Sequence, residues 1–135
     1  MQTFRLMGCL GIIAITGIAI SGCASQTQVS SSCSYKDYPT AADASKDADL
    51  VSRATIVSVK AQRVNIQLTE PIIGGGAVGE DIIVMSDCDS ISVPNGTKDV
   101  EVFLVKTSQG WEPVNPHQGI RKFDPNEFAG LRVQD

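Results

Sequence analysis

Three things are scarce in this chain, and each scarcity limits what the protein can be. Aromatic residues make up 5% of the 135 residues, so a hydrophobic core has to be built mainly from Val and Ile. There is a single histidine, which argues against a closed zinc site made from histidine and cysteine. Charge is almost absent from the first 35 residues, where Arg5 is the only charged side chain.

The segment that follows Arg5 is apolar but short. Residues 6–20 are nearly all aliphatic or small, which corresponds to roughly 22 Å of helix. A transmembrane helix needs about 20 apolar residues. A positive start followed by a shorter apolar run is typical of a secretory signal sequence. We therefore expect residues 1–22 to be an export signal and not a membrane span.

Ile20-Ser21-Gly22-Cys23 ends the apolar run and resembles the lipobox of bacterial lipoproteins. The resemblance implies cleavage between Gly22 and Cys23 and a thioether-linked diacylglycerol on the Cys23 sulfur. Two acyl chains anchor a protein stably, at ~0.8 kcal/mol per buried methylene. The alternatives are an ordinary secretory signal and an uncleaved anchor helix. A Ser/Gln/Thr tract begins directly after Cys23 and favours the lipoprotein.

A second lipobox-like stretch, Leu6-Met7-Gly8-Cys9, lies near the start of the chain. No apolar run precedes it, so it cannot be presented at the far face of the membrane. We therefore predict lipidation at Cys23 and none at Cys9.

Cleavage after Gly22 would leave 113 residues with 10 basic and 15 acidic side chains, a formal charge of −5. We expect residues 23–32 to be a flexible tether and residues 33–135 to form one domain. The acidic balance argues against nucleic acid as a partner. Contact with the membrane is expected through the lipid on Cys23. This predicts a lipid-anchored location on the extracytoplasmic side of the cell membrane, or on the outer membrane where the organism has one.

Two of the four cysteines remain once the signal and the lipidated residue are set aside. Cys33 and Cys88 would then lie in a compartment that permits disulfides. A Cys33–Cys88 bridge would close a loop of about 55 residues and stabilise the domain by ~4 kcal/mol in the chain-entropy model. The alternative is a metal or redox pair, for which no second cysteine lies at suitable spacing.

The first predicted elements are a helix and a long hairpin. Thr40 and Asp43 have the spacing of a capping box, which predicts a short helix over residues 41–49. From Leu50 the period changes to two, and this predicts a strand. One face of that strand carries four side chains: Val51, Thr55, Val57 and Val59. A second strand follows, with a turn near residues 61–63.

The rest of the chain is predicted to hold three or more further strands and a last helical turn. We expect Pro71 to limit how far the second strand pairs. Residues 74–79 are glycine-rich but lack a phosphate-loop spacing, so they predict a connecting loop. The later predicted strands are residues 80–86, 100–106, 111–114 and 120–123. Asp124 as N-cap and Pro125 at the first position predict a helical turn that Gly130 closes.

This order predicts a mainly β fold: a small five-stranded barrel of the oligonucleotide/oligosaccharide-binding (OB) type with a short N-terminal helix and a C-terminal helical turn. Four segments resemble small extracytoplasmic bacterial domains of that type, namely residues 49–59, 78–84, 102–105 and 111–119. The fold implied resembles that of tissue inhibitors of metalloproteinases. Those inhibitors place a free N-terminal cysteine on the protease zinc. That mechanism does not carry over, because Cys23 is expected to be lipidated and Cys33 is internal.

No catalytic arrangement has support in the sequence. His117 lies in a predicted turn without a companion histidine, and Asp87 and Asp89, beside Cys88, suit loop solvation better than acid–base work. We therefore predict a monomeric, non-enzymatic domain without metal or cofactor that binds or scaffolds a partner at the cell envelope, for example an envelope or extracellular protein. The alternative is an inhibitor of an extracellular hydrolase or protease.

Overall fold

The computed structural model describes residues 33–132. The predicted signal peptide, the cleavage site at Gly22 and Cys23, and the tether over 23–32 lie outside these residues. Within residues 33–132, no helix is both long enough and apolar enough to span a membrane.

Two short helices and six strands make up the described part of the chain. In chain order they are α1 (Ala41–Asp47), β1 (Leu50–Lys60), β2 (Arg63–Ile73), β3 (Asp81–Met85), β4 (Asp99–Thr107), β5 (Gly110–Pro113), β6 (Ile120–Lys122) and α2 (Pro125–Leu131).

Five of the strands close into a barrel, as the sequence predicts. Their order is β1-β2-β3-β5-β4, and β4 pairs back with β1. The β3–β5 contact is parallel and the other pairings are antiparallel. The short strand β6 adds to β4, beside the β4–β5 pair. The N-terminal helix and the C-terminal helix were both expected, and both are present.

The register of β1 departs from the predicted alternation. The β1–β2 ladder shifts after Ile56, so that Val59 stands opposite Val64. Directly opposed residues share a face, and Val64 belongs to the barrel core. The prediction that Val59 shares a face with Val51 and Thr55 is therefore wrong. The extra residue in β1 has the effect of a β-bulge, which moves later side chains to the other face.

Pairing of β2 continues past Pro71, contrary to the prediction. Pro71 stands opposite Ser52, and Ile73 stands opposite Val51. The β2–β3 ladder reaches only Gln67. At Pro71 the other side of β2 is therefore a sheet edge, where a missing backbone N–H is tolerated.

The helix ends also differ slightly from the predicted ones. Helix α1 begins as predicted, with the Asp43 amide donating to the Thr40 hydroxyl at 3.1 Å. It ends at Asp47 because the Asp49 amide donates to Leu104 of β4 at 2.8 Å, which draws the chain into the sheet. Helix α2 runs through Gly130 to the buried Leu131, so Gly130 does not close it.

Two apolar clusters hold the fold together. The first fills the barrel with mostly branched aliphatic side chains from every strand except β5, whose Trp111 packs against it. The second lies between the two helices and the outer face of β1 and β4. We call these helices, α1 and α2, the two-helix cap. Its buried members are Tyr38, Ala41, Ala44, Val51, Phe103, Phe128 and Leu131.

Candidate functional site

The predicted disulfide between Cys33 and Cys88 is present. It joins the start of the described chain to the loop that follows β3. The same loop is fixed to the β1–β2 turn, where the Gln62 side chain donates to the Cys88 carbonyl at 2.9 Å. The bridge therefore ties residues 33–40, which we call the N-terminal segment, to one end of the barrel.

The loop between β3 and β4 closes that end of the barrel. Ile91 is buried in the barrel core, and its amide donates to the Ala61 carbonyl at 2.8 Å. The next amide, from Ser92, donates to the Pro116 carbonyl at 2.8 Å. These bonds bring the loop alongside the turn between β5 and β6.

That turn is organised by a buried asparagine. The Asn115 side chain donates to the Lys36 carbonyl at 2.9 Å and accepts from the His117 amide at 2.7 Å. Directly after His117, the Gln118 side chain accepts a hydrogen bond from the Tyr38 amide at 2.7 Å. The turn therefore holds the N-terminal segment and sets the position of the only histidine.

Three side chains that sequence reasoning left unconnected meet here in a line. The Ser92 hydroxyl lies 3.1 Å from His117 Nδ1, and His117 Nε2 lies 3.4 Å from Asp89 Oδ2. The His117 and Asp89 side chains are 54% and 47% exposed. No local pattern signals this contact, because it depends on a loop and a turn that lie more than 20 residues apart in the sequence.

The line contains the residue types of a catalytic triad but not its geometry. In serine hydrolases the serine faces Nε2 and a buried aspartate orients the ring through Nδ1. Here the two ring nitrogens have exchanged roles, and the aspartate is half exposed. The 3.4 Å contact is also long for a charge-assisted hydrogen bond. The arrangement suits hydrogen bonding to a ligand at the surface.

A cleft of about 390 Å³ lies beside this line, and we call it the His117 cleft. Its walls come from the N-terminal segment, the β3–β4 loop and the β5–β6 segment. Three features are apparent: a run of proline and aliphatic groups, the Ser92–His117 pair and a guanidinium. The lining residues are Tyr38, Pro39, Ser92, Val93, Pro94, His117, Gln118, Ile120 and Arg121.

Two residues give the His117 cleft a fixed shape. Arg121 donates to the carbonyls of Tyr38 and Pro39 at 3.2 and 3.4 Å, which fastens two of the walls together. The Tyr38 hydroxyl donates to Asp47 of α1 at 2.8 Å. Burial, together with this bond and the charge of Asp47, raises the pKa of Tyr38 to about 12. Tyr38 therefore stays neutral and supplies a wall of the cleft, not a titrating group.

A second, more apolar groove of about 310 Å³ lies on the bare outer face of the barrel. Val57, Asn65 and Ile83 form its floor across three neighbouring strands. The corresponding face of β2 and β3 is a common ligand surface in barrels of this topology. Val57 and Ile83 are 58% and 51% exposed.

The remaining sequence candidates contribute no site in the described part of the chain. Residues 74–79 connect β2 to β3, as predicted. A Cβ at Gly74 would meet the Asp49 carbonyl at 2.4 Å, which shows that this loop packs closely against the start of β1. Between residues 33 and 132, no group of three or more His, Cys, Asp and Glu side chains could hold a metal ion.

The chain matches no known family, and no curated protein and no solved structure has significant similarity to it.

Proposed function

We propose that this protein is a lipoprotein anchored through Cys23 on the extracytoplasmic side of a membrane, with a barrel that serves as a non-enzymatic binding domain. The observation that carries the proposal is the lipobox-like Ile20-Ser21-Gly22-Cys23 at the end of a short apolar run. Neither half of that pattern would suffice alone, because the small residues and the cysteine have to follow the apolar run directly.

The disulfide between Cys33 and Cys88 supports an extracytoplasmic location independently of the lipobox. Stable disulfides form in oxidising compartments and are rare in the cytosol. The bridge also lies at the start of the folded domain, ten residues after Cys23. A domain that begins so soon after its anchor is held close to the membrane surface.

Lipidation is tested by metabolic labelling with an alkyne-tagged palmitate, followed by fractionation of membranes. We expect the full chain to be labelled and to sediment with membranes, and the Cys23→Ser variant to lose the label. The Cys9→Ser variant is the matched control, because it changes the lipobox-like stretch that we predict is not used. Label retained in Cys23→Ser, or lost in Cys9→Ser, would contradict the proposal.

The His117 cleft supports a binding role. It presents aliphatic and proline surface next to hydrogen-bonding groups from Ser92, His117 and Arg121. Small-molecule and peptide sites commonly combine these two kinds of surface. The exposed and reversed Ser92–His117–Asp89 line supplies contacts to a ligand but lacks the buried setting that nucleophilic catalysis uses.

Binding is tested by placing a photo-crosslinking amino acid at Val93, on the wall of the cleft, in cells that express the lipidated protein. The matched control carries the same amino acid at Ser108, in the exposed β4–β5 turn. We expect a protein adduct at Val93 that is absent at Ser108. An adduct with a hydrolase or protease would favour the inhibitor alternative. Equal crosslinking at the two positions would count against a site in the cleft.

A further inference from the structure

Glu101 is a fully buried carboxyl group on the wall of the barrel. It lies on the outer face of β4, near Asp124 and Glu127 at the start of α2, and its exposed fraction is zero. Among the described residues, neither carboxyl oxygen has a partner at ordinary hydrogen-bond geometry, and the nearest donor, the Asp124 backbone amide, interacts with it only weakly. Burying an ionised carboxylate in this way is costly, because these contacts do not replace all of the water that it loses.

The two neighbouring cations are engaged elsewhere. Arg53 stands opposite Glu101 on β1 and forms a bidentate pair with Asp99, at 2.9 and 2.7 Å. Arg121 stands opposite on β6 and donates to two main-chain carbonyls of the N-terminal segment. Its Nε lies 3.9 Å from Glu101 Oε1, which is beyond hydrogen-bonding distance.

The first turn of α2 adds negative charge to the same place. Asp124 and Glu127 both act on Glu101 electrostatically. Burial, and then the charge of Glu127, raises the pKa of Glu101 to about 7, and the charge of Arg121 and the Asp124 backbone amide oppose the shift. Glu127 also accepts a hydrogen bond from the Ala41 amide at 2.8 Å, so it joins α2 to the start of α1. The residue that links the two helices is therefore one that an ionised Glu101 repels.

We propose that the protonation of Glu101 controls whether the two-helix cap is closed. With its proton in place, the carboxyl is neutral and the cap stays closed over Phe103 and Val51. When the proton leaves to solvent, the buried charge gains water only if α2 and α1 move away from the barrel wall. The domain would then change conformation with the surrounding pH, whether or not Cys23 is lipidated.

The sign of the response follows from the direction of the pKa shift. With the cap closed, Glu101 holds its proton up to about pH 7, whereas a solvated glutamate releases it near the ordinary value of 4.5. The closed state is therefore favoured fully below about pH 4.5 and loses stability as the pH rises through about 7. Opening becomes easier at neutral and alkaline pH.

Hydrogen exchange followed by mass spectrometry tests the proposal on the full chain, purified from membranes in detergent. We expect the opening equilibrium of peptides from α1 and α2 to rise on the order of a hundredfold between about pH 5 and about pH 8, after correction for intrinsic exchange. Peptides from β2 and β3 serve as an internal reference and should change far less. A uniform change across all peptides, or none in the helices, would overturn the proposal.

Three variants distinguish control of the cap by Glu101 from a purely structural role of its carboxyl group. Glu101→Gln should abolish the pH response of the helices. Glu127→Gln keeps an oxygen for the Ala41 amide but removes its charge, so it should reduce the response, and it serves as the test if Glu101→Gln does not fold. Glu112→Gln, on β5, is the control and should respond like the parent. A full response in Glu101→Gln or in Glu127→Gln would contradict the assignment.

Discussion

The outer wall of the barrel has a covered half and a bare half, and β1 runs through both. At its start, Val51 packs against Phe103 beneath the two-helix cap, and both are fully buried. Near its end, Val57 lies 58% exposed beside Ile83 on the neighbouring part of the wall. The residues of the two halves are chemically similar, since both halves carry branched aliphatic side chains. Their burial is decided by the segments that flank the sheet and not by the strand itself.

The two halves also differ in their polar groups. The covered half contains the buried Glu101 and the arginines that face it from β1 and β6. The bare half carries Asn65 and Asp81 around an apolar groove. Covering a wall that includes a carboxyl group makes the cap sensitive to pH, whereas the bare wall has no comparable buried acid among the described residues. We therefore expect the response to pH on the covered side of the barrel.

The largest difference between the two halves is expected from truncating their apolar side chains. Phe103→Ala should lower the free energy of unfolding by about 3–5 kcal/mol, because it leaves a cavity beneath the cap. Val57→Thr keeps the branched shape that a strand favours and should change it by less than about 0.5 kcal/mol. Urea denaturation followed by Trp111 fluorescence measures both. Similar losses for the two variants would mean that the bare half is covered in solution.

A smaller effect is expected where the end of β2 meets the covered half. Gly74 has φ of +86°, and a Cβ there would meet the Asp49 carbonyl at 2.4 Å. Gly74→Ala should therefore cost roughly 1–3 kcal/mol in the same denaturation experiment. Gly75→Ala is the matched control, because a Cβ at Gly75 has nothing within 4 Å. A neutral Gly74→Ala would show that the loop can move away from β1.

Sequence patterns predicted the order of the elements along the chain and the Cys33–Cys88 disulfide, because turn signals are local and cysteines can be counted. Alternation and turn residues marked the strands, and setting aside Cys9 and Cys23 left a single possible pair. The register shift after Ile56 was not predictable, because no residue type marks an extra residue in a strand. The continuation of pairing past Pro71 was missed because it depends on where β3 stops.

The candidate site was less accessible to prediction than the fold. His117 was identified from the sequence only as a turn residue, and its contacts with Ser92 and Asp89 arise from the packing of two distant loops. The alternation along residues 100–106 places Glu101 on the face opposite Val100 and Val102, where it lies in the structure. It could not show that helices far away in the sequence would bury that face.

The smallest predicted effect concerns the border between the two halves. Arg53 pairs with Asp99 through two hydrogen bonds and stacks on the Phe123 ring, 4.1 Å from its centroid. Both charged side chains are more than a third exposed, so Arg53→Lys should lower the free energy of unfolding by less than about 1 kcal/mol. Gln67→Lys, a change on the bare wall that leaves this pair intact, is the control and should have no comparable effect.

The effect of Arg53→Lys should also depend on pH in a direction opposite to that of Glu101. The bonds from Arg53 hold the pKa of Asp99 below its ordinary value. Their contribution is therefore present above the unfolded-state pKa and is lost as the pH falls through the folded-state pKa. Denaturation at neutral pH and again near about pH 3 checks this, and the difference between parent and variant should shrink at the lower pH. If the difference stayed the same instead, the stacking on Phe123 and not the ion pair would be the main contribution of Arg53.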